Sequence, residues 1–359
     1  MKRKLVFLLA MVLIFTMVFV AGCGSSKPEE KKEEAPAEEA AEEETEEAAE
    51  EAEEATEEAE PAEEEAEEAE EEEEEEEEEE NYETGDASLD NPRNQDEIGE
   101  IELLVTSFGT SYNDSRRLTI GAIEEAIEAA FPDYSVRRAF TSQIIIDHVE
   151  KRDAVKIDNF GEALDRAEAN EVKTLVVIPT HLMDGFEYND IVDEMATRAE
   201  GFEKVVIGKP LLDSDDDFQR VAEALHEDTA SYDDGETAIV FMGHGTEAAS
   251  NSVYAKMQEV MTGLGYENYY IGTVEAAPTL DDVIAAIKEK DYKKVVLQPM
   301  MVVAGDHANN DMAGDEEDSW KTILEGEGYE VIPVLKGVGE IEAIRNIYVE
   351  HAQAAVDSL

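Results

Sequence analysis

Two histidines and one glutamate stand where chemistry could be done. His244 lies in Met242-Gly243-His244-Gly245-Thr246, and Glu275 follows Gly272-Thr273-Val274. His307 lies in Ala304-Gly305-Asp306-His307-Ala308-Asn309-Asn310. Two imidazoles and a carboxylate that converge bind a borderline divalent metal such as Co2+, Fe2+, Ni2+ or Zn2+. The same imidazoles accept protons near neutral pH. Glycines beside both histidines let the backbone turn sharply and approach a ligand. Singly, His244 reads as a turn residue satisfied by backbone and His307 as a helix-entry residue near an acidic cap. Three such groups at three strand ends read together as a site.

The elements that must position them form an alternating pattern. Short apolar runs at 101–107, 135–140, 174–179 and 205–209 read as strands. Amphipathic stretches at 115–131, 144–151, 160–169 and 215–227 read as helices. The series then restarts, with strands at 237–242, 269–274, 294–298 and 330–335 and helices at 251–264, 280–288, 319–325 and 340–356. This is the pattern of an α/β fold with parallel sheets. The restart reads as a duplication: Phe108-Gly109-Thr110 precedes His244-Gly245-Thr246 by 136 positions, and Pro179 and Gly185 precede Pro299 and Gly305 by 120. Functional groups in such sheets gather at the C-terminal ends of the strands. The expected division is 98–230 for the first α/β domain and 231–359 for the second, which carries the metal-site residues. At the places matching His244, Glu275 and His307 the first half is read as carrying Phe108, Phe140 and Glu187. One polar wall facing one largely apolar wall suits a large, flat, partly apolar ligand.

Composition narrows the partners. The 359 residues include 92 Asp plus Glu against 28 Lys plus Arg. Residues 29–80 hold 34 of the Glu and two Lys, yet residues 81–359 still carry 58 acids against 22 bases. That excess argues against nucleic acid, whose phosphates need a basic face. The single cysteine excludes a disulfide framework or a Cys-based zinc or iron–sulfur site within one chain. Lys2, Arg3 and Lys4 precede an apolar run from Leu5 to Ala21, the layout of a secretory signal. The lone Cys23 directly follows Val20-Ala21-Gly22 and resembles the lipidated position of a bacterial lipobox. Residues 1–22 are therefore expected to be a lipoprotein signal peptide and Cys23 the lipid anchor, placing the protein outside the cytoplasm on a membrane surface. Residues 23–97 are expected to form a disordered, Glu-rich tether, since like charges repel and little apolar surface is available to bury.

No Walker A loop, Gly-x-Gly-x-x-Gly after a strand, Gly-x-Ser-x-Gly elbow or His-Glu-x-x-His occurs in the sequence, so the usual signs of nucleotide, hydride-transfer, serine-esterase and zincin chemistry are missing. Several dispersed segments do appear in a telling order. They are Leu104-Val105-Thr106-Ser107-Phe108-Gly109-Thr110-Ser111, Arg138-Ala139-Phe140-Thr141-Ser142, Gly243-His244-Gly245-Thr246, Ala304-Gly305-Asp306-His307-Ala308 and Asn310-Asp311-Met312-Ala313-Gly314-Asp315. The set closely resembles the anaerobic sirohydrochlorin cobaltochelatases of the CbiK type, within the class II chelatases, from about residue 98 to the C-terminus. The resemblance implies two flavodoxin-like domains with a tetrapyrrole between them and ATP-independent insertion of Co2+. Family metal-site positions carry over to His244, Glu275 and His307, with His244 as the expected first acceptor of a pyrrole proton. Phe108, Phe140 and Arg138 are the expected tetrapyrrole-cleft residues.

Sirohydrochlorin is rich in carboxylates, which a net acidic protein repels. Arg116, Arg117, Arg137, Arg138, Lys209, Lys256 and Lys336 are the candidate local bases. His181 ends a strand and reads as a packed histidine, or one that reaches the cleft or a second metal or haem. His148, His226 and His351 fall on helices and receive no role. Asp311, Asp315, Glu316, Glu317 and Asp318 read as helix-capping carboxylates, with guidance of cations toward His307 as an addition. The competing readings are a surface-anchored tetrapyrrole- or metal-binding lipoprotein without turnover, and a chelatase for Fe2+ or Ni2+. Oligomeric state stays open.

Overall fold

The computed structural model describes residues 84–96 and 99–359. The expected signal peptide, Cys23 and the Glu-rich run lie outside the described residues. Eight strands form two four-stranded sheets, every pairing parallel. The first contains β1 (Ile101–Ser107), β2 (Ser135–Phe140), β3 (Thr174–Pro179) and β4 (Lys204–Ile207) in the order β2-β1-β3-β4. The second contains β5 (Thr237–Gly243), β6 (Tyr269–Thr273), β7 (Lys294–Pro299) and β8 (Glu330–Pro333) in the order β6-β5-β7-β8. Both are the flavodoxin-type order, with a switch point between the first and third strands. The central strands β1 and β5 are buried almost throughout. Their largely apolar sequences, broken in β1 by the buried Glu102, fit strands covered on both faces.

Helices cover those faces. A short turn, Asn113–Arg116, and a π segment, Arg117–Gly121, lead into α1 (Ala122–Ala130). There follow α2 (Gln143–Asp153), α3 (Phe160–Ala169), α4 (Phe186–Arg198) and α5 (Asp215–Thr229) in the first half. The second half holds α6 (Ser252–Gly263), α7 (Leu280–Ile287), α8 (Trp320–Gly326) and α9 (Glu342–Asp357). Capping boxes start three of them: Asn159 with Glu162 for α3, Ser214 with Asp217 for α5, and Thr279 with Asp282 for α7. Each reciprocal pair satisfies amide donors that a helix start leaves unpaired. Helix α4 is absent from the sequence reading because it buries only Ile191 and Met195 among many acids.

The expected division near residue 230 separates the sheets but not the helices. The closing helix α9 returns to the first sheet, where Tyr348 Oη donates to the Thr180 carbonyl at 2.7 Å. Arg220 of α5 holds Glu350 through two bonds of 2.7 and 2.8 Å. One apolar core joins Leu103 and Val105 of β1 to Ile239 and Phe241 of β5 through Phe218, Ile344 and Ile347. Burying each such side chain contributes about 1.5–3 kcal/mol, so the shared core ties the halves together.

The tether expected to run to residue 97 is also corrected. Residues 84–96 dock on the first half. Asp90 accepts from Arg116 Nε at 2.7 Å and from Arg138 Nη1 and Nη2 at 2.6 and 3.0 Å. Burial opposes ionisation of Asp90, but the two guanidiniums prevail and hold its carboxyl below the usual range. The Arg93 carbonyl then accepts the Arg138 amide at 3.3 Å, and the Asp158 carbonyl accepts that of Phe140 at 3.0 Å. Both contacts cap the exposed edge of β2, which otherwise offers unpaired donors to another chain. Composition marked this stretch as polar linker, and nothing local announces a carboxylate that completes two buried arginines.

Candidate metal-insertion site

The two sheets present matching loops at their C-terminal ends. Glu275 N–H donates to the His244 carbonyl at 2.8 Å, as Ser142 N–H donates to that of Phe108 at 3.2 Å. Thr273 pairs with Gly243 in register, as Phe140 pairs with Ser107. The register thus makes Ser142, not Phe140, the counterpart of Glu275. The loops also approach each other across the halves. A Cβ on Gly305 would lie 3.0 Å from Thr110 Oγ1, and one on Gly185 would lie 3.9 Å from Ser250 Oγ. Ser115 Oγ accepts the Ala304 amide at 2.9 Å.

His244 is the first residue beyond β5 and is exposed. Its Nδ1 lies 2.7 Å from the Gly245 carbonyl. A carbonyl only accepts, so Nδ1 carries the proton and Nε2 keeps its lone pair. Gly245 makes this turn at φ +91°, where a Cβ would meet the Ala276 amide at 2.8 Å and Thr273 Oγ1 at 2.9 Å. His307 enters a π segment, Ala308–Met312, and its Nδ1 lies 2.7 Å from Asp311 Oδ2. Nδ1–H therefore donates to the carboxylate, and in the neutral ring Nε2 keeps its lone pair as well. Hydrogen bonding to Asp311 raises the His307 pKa against the opposing effect of burial, with the charges of Asp311, Asp306 and Glu275 adding to the rise. The two imidazole rings stand 4.6 Å apart, edge to face at 86°.

The tightest potential metal-holding group among the described residues is not the expected trio. Donor atoms of Asp306, His307 and Asp311 lie within 4.8 Å of one another. Burial raises the Asp306 pKa, partly countered by the charge of His307. Glu275 reaches the same strand end and acts on His307 through its charge, without joining that close group. Asp311 sits four residues after His307, a spacing that places both on one helical face. That signal was readable, but the sequence reading spent it on capping.

The opposite edge is apolar. Phe108 after β1, Ile144 at the start of α2 and Phe186 at the start of α4 are 49%, 61% and 59% exposed. Ile144 and Phe186 were missed because an apolar helix-start residue looks like core. Two expected cleft residues are corrected. Phe140 is fully buried beneath Gly109, whose absent Cβ would lie 2.7 Å from its ring. Arg138 is equally buried, its guanidinium consumed by Asp90 and Glu124. Neither can line an open cleft.

The other candidate bases are paired as well. Arg116 meets Asp90 and Arg137 meets Asp158, both buried. Lys256 meets Asp215, and Lys336 meets Asp228. Arg117 and Lys209 pair with Asp114 and Asp213 at the surface. Both ring nitrogens of His181 are sealed from solvent without a hydrogen-bond partner among the described residues, and burial lowers its pKa to about 4. It is a neutral packed histidine.

Residues 102–357 match the family model for the cobalt chelatase CbiK. The chain belongs to the CbiK cobalt chelatase family. It is 37% identical over 255 residues to a sirohydrochlorin cobaltochelatase of Salmonella typhimurium, covering 71% of this chain and 96% of that protein. It is 32% identical over 276 residues to the sirohydrochlorin cobaltochelatase CbiKC of Nitratidesulfovibrio vulgaris, covering 76% and 97%. Among solved structures, SirB from Bacillus subtilis with Fe3+ aligns with a TM-score of 0.51 at 11% identity, covering 72% of this chain and 96% of that one. That likeness concerns the fold. The CbiK match takes in His244, Glu275 and His307 and leaves out the docked segment at 84–96.

Proposed function

We propose that this member of the CbiK family inserts Co2+ into sirohydrochlorin without using a nucleotide. The observation that carries the reading is the pair of free Nε2 atoms on His244 and His307, set at the strand ends of one sheet opposite the exposed apolar edge of the other. Insertion exchanges two pyrrole N–H protons for one Co2+, so a site must hold the metal and accept protons. His244, with Nδ1 committed to a carbonyl, offers Nε2 to the metal. His307 also offers Nε2 to the free cation; once the metal passes to the ring, that nitrogen, made the more basic by Asp311, accepts one pyrrole proton, a role first expected of His244, and the other proton leaves to solvent. Asp306 and Asp311 attract the cation and stabilise the imidazolium that results. Phe108, Ile144 and Phe186 offer apolar surface to the ring face, and half-buried Arg117 and exposed Lys209, held only by the surface carboxylates of Asp114 and Asp213, are the bases that its carboxylates can recruit.

The test is anaerobic absorbance spectroscopy of the full chain in detergent with sirohydrochlorin and Co2+. Conversion of many ring equivalents per protein supports the chelatase. A spectral change that stops at one equivalent means a carrier without turnover. Replacing Co2+ by Fe2+ or Ni2+ in the same assay ranks the metals.

We further propose that Cys23 is lipidated and holds the enzyme on the outer side of a membrane. The support is the basic, apolar and Val20-Ala21-Gly22-Cys23 order of the leader. Metabolic labelling with a fatty acid should mark the wild-type chain and not Cys23→Ala. Equal labelling of both would contradict the anchor.

A further inference from the structure

Tyr254 lies in the first turn of α6 and is 1% exposed. Its ring occupies the space beside Gly243, where a Cβ would lie only 2.1 Å from it. Its hydroxyl oxygen accepts the Gly245 amide at 3.3 Å, and the His244 amide is near enough to act on the same hydroxyl. The His244 carbonyl in turn accepts the Glu275 amide. Asn251, three residues before Tyr254, joins these same loops: its Oδ1 accepts the Thr246 amide at 3.1 Å and its Nδ2 donates to the Ala277 carbonyl at 2.7 Å. The offset of 136 that pairs Phe108 with His244 puts Tyr254 opposite Leu118, which is 40% exposed. The brace is therefore present behind the loop that carries a ligand and missing behind the loop that does not.

We propose that Tyr254 is a positioning residue for metal insertion, its hydroxyl fixing the His244–Gly245 backbone so that the His244 ring faces His307 with Nε2 toward the incoming cation. This rests on the chelatase reading above. The hydroxyl is buried and holds only backbone, so its loss acts through the placing of His244. Outer partners that orient a metal-binding imidazole typically contribute about 10–100-fold in metal affinity or activity.

The experiment compares the full chain with Tyr254→Phe and with Tyr348→Phe. The second is a control of the same kind, because Tyr348 is equally buried and its hydroxyl bonds the Thr180 carbonyl. Co2+ binding is measured by calorimetric titration, and KM for Co2+ and for sirohydrochlorin are measured separately. The expected result for Tyr254→Phe is at least about a tenfold weaker Co2+ affinity and a matching rise in the Co2+ KM, with the sirohydrochlorin KM unchanged. Tyr348→Phe should change neither. Unchanged Co2+ affinity in Tyr254→Phe, or equal losses in both variants, would overturn the proposal while leaving the chelatase reading intact. Absence of wild-type turnover would instead overturn that reading. A wild-type measurement holds even if Tyr254→Phe fails to fold: the His244 and Gly245 amides should exchange hydrogen as slowly as those of β5. Exchange of both at solvent rates would refute the brace.

Discussion

After β5 the chain reads Gly243-His244-Gly245, and after β1 it reads Ser107-Phe108-Gly109. The backbone treats the two alike. Each carbonyl at the second position accepts an amide from the neighbouring strand end, and each glycine turns at positive φ. What differs is the cargo. One loop lifts an imidazole whose proton is locked by a carbonyl; the other lifts a half-exposed phenyl ring. The same contrast runs along the third strand ends, where His307 with Asp311 stands in one half and Phe186-Glu187 in the other. A single backbone plan, used twice, supplies a polar wall and an apolar wall because only side chains changed. The lesson is that duplication fixed positions and left chemistry free.

Breaking the polar wall should have the largest effect. His244→Ala or His307→Ala should lower kcat/KM for Co2+ by about 10²–10⁴-fold, the range for loss of a positioned acid–base group. Steady-state assays of both variants check this, with circular dichroism to show that the fold persists. Activity within twofold of wild type in either would break the comparison at its centre.

The same wall can be sharpened through its support. Asp311 raises the His307 pKa, so His307 sheds its proton at a higher pH than an unassisted histidine. Asp311→Asn keeps an acceptor for Nδ1 but removes the charge. Activity should fall by about 10–100-fold, and the acidic limb of the pH–rate profile should move to lower pH. A limb that stays in place would assign the titration to another group.

The first half tests what remains when the polar groups are structural. Removing one partner of a buried ion pair costs about 3–5 kcal/mol. Asp90→Ala leaves Arg116 without its carboxylate and Arg138 with only Glu124, and should destabilise the protein by that order in urea unfolding. Glu102 gives a pH signature. It is buried in β1 with neither oxygen hydrogen-bonded among the described residues, and burial raises its pKa to about 7, countered by the charge of Arg137. A carboxyl with a raised folded pKa binds its proton more tightly when folded, so its contribution is present at low pH. That contribution is lost as pH climbs from the unfolded value of 4.5 through about 7. Glu102→Gln should flatten that decline and stabilise the protein above pH 7 by on the order of 2–3 kcal/mol. A parallel pH–stability curve in wild type and variant would contradict it. The smallest effect falls on the apolar wall, where Phe186→Ser should raise the sirohydrochlorin KM a few-fold and leave the Co2+ KM unchanged.

Much of this was legible in the residues. All eight strands were legible, most as apolar runs, since parallel strands are buried on both faces and need no alternation, although β2 carries Arg137 and Arg138 at its centre. The site histidines showed through glycine neighbours at strand ends. What stayed hidden depended on distant partners. Arg138 looked like a free base near a strand end because Asp90 and Glu124, 48 and 14 residues away, do not advertise that they consume it. Phe140 looked like a wall because the register shift between it and Glu275 is visible only once the strands are paired. The return of α9 to the first sheet is a tertiary choice that an amphipathic helix does not reveal.

The claim that one half alone holds the metal is tested most directly by X-ray absorption at the cobalt edge, on the full chain loaded with one equivalent of Co2+ under nitrogen. Two imidazole nitrogens should appear in the wild type and one in His244→Ala. An all-oxygen shell that is the same in both would contradict the account.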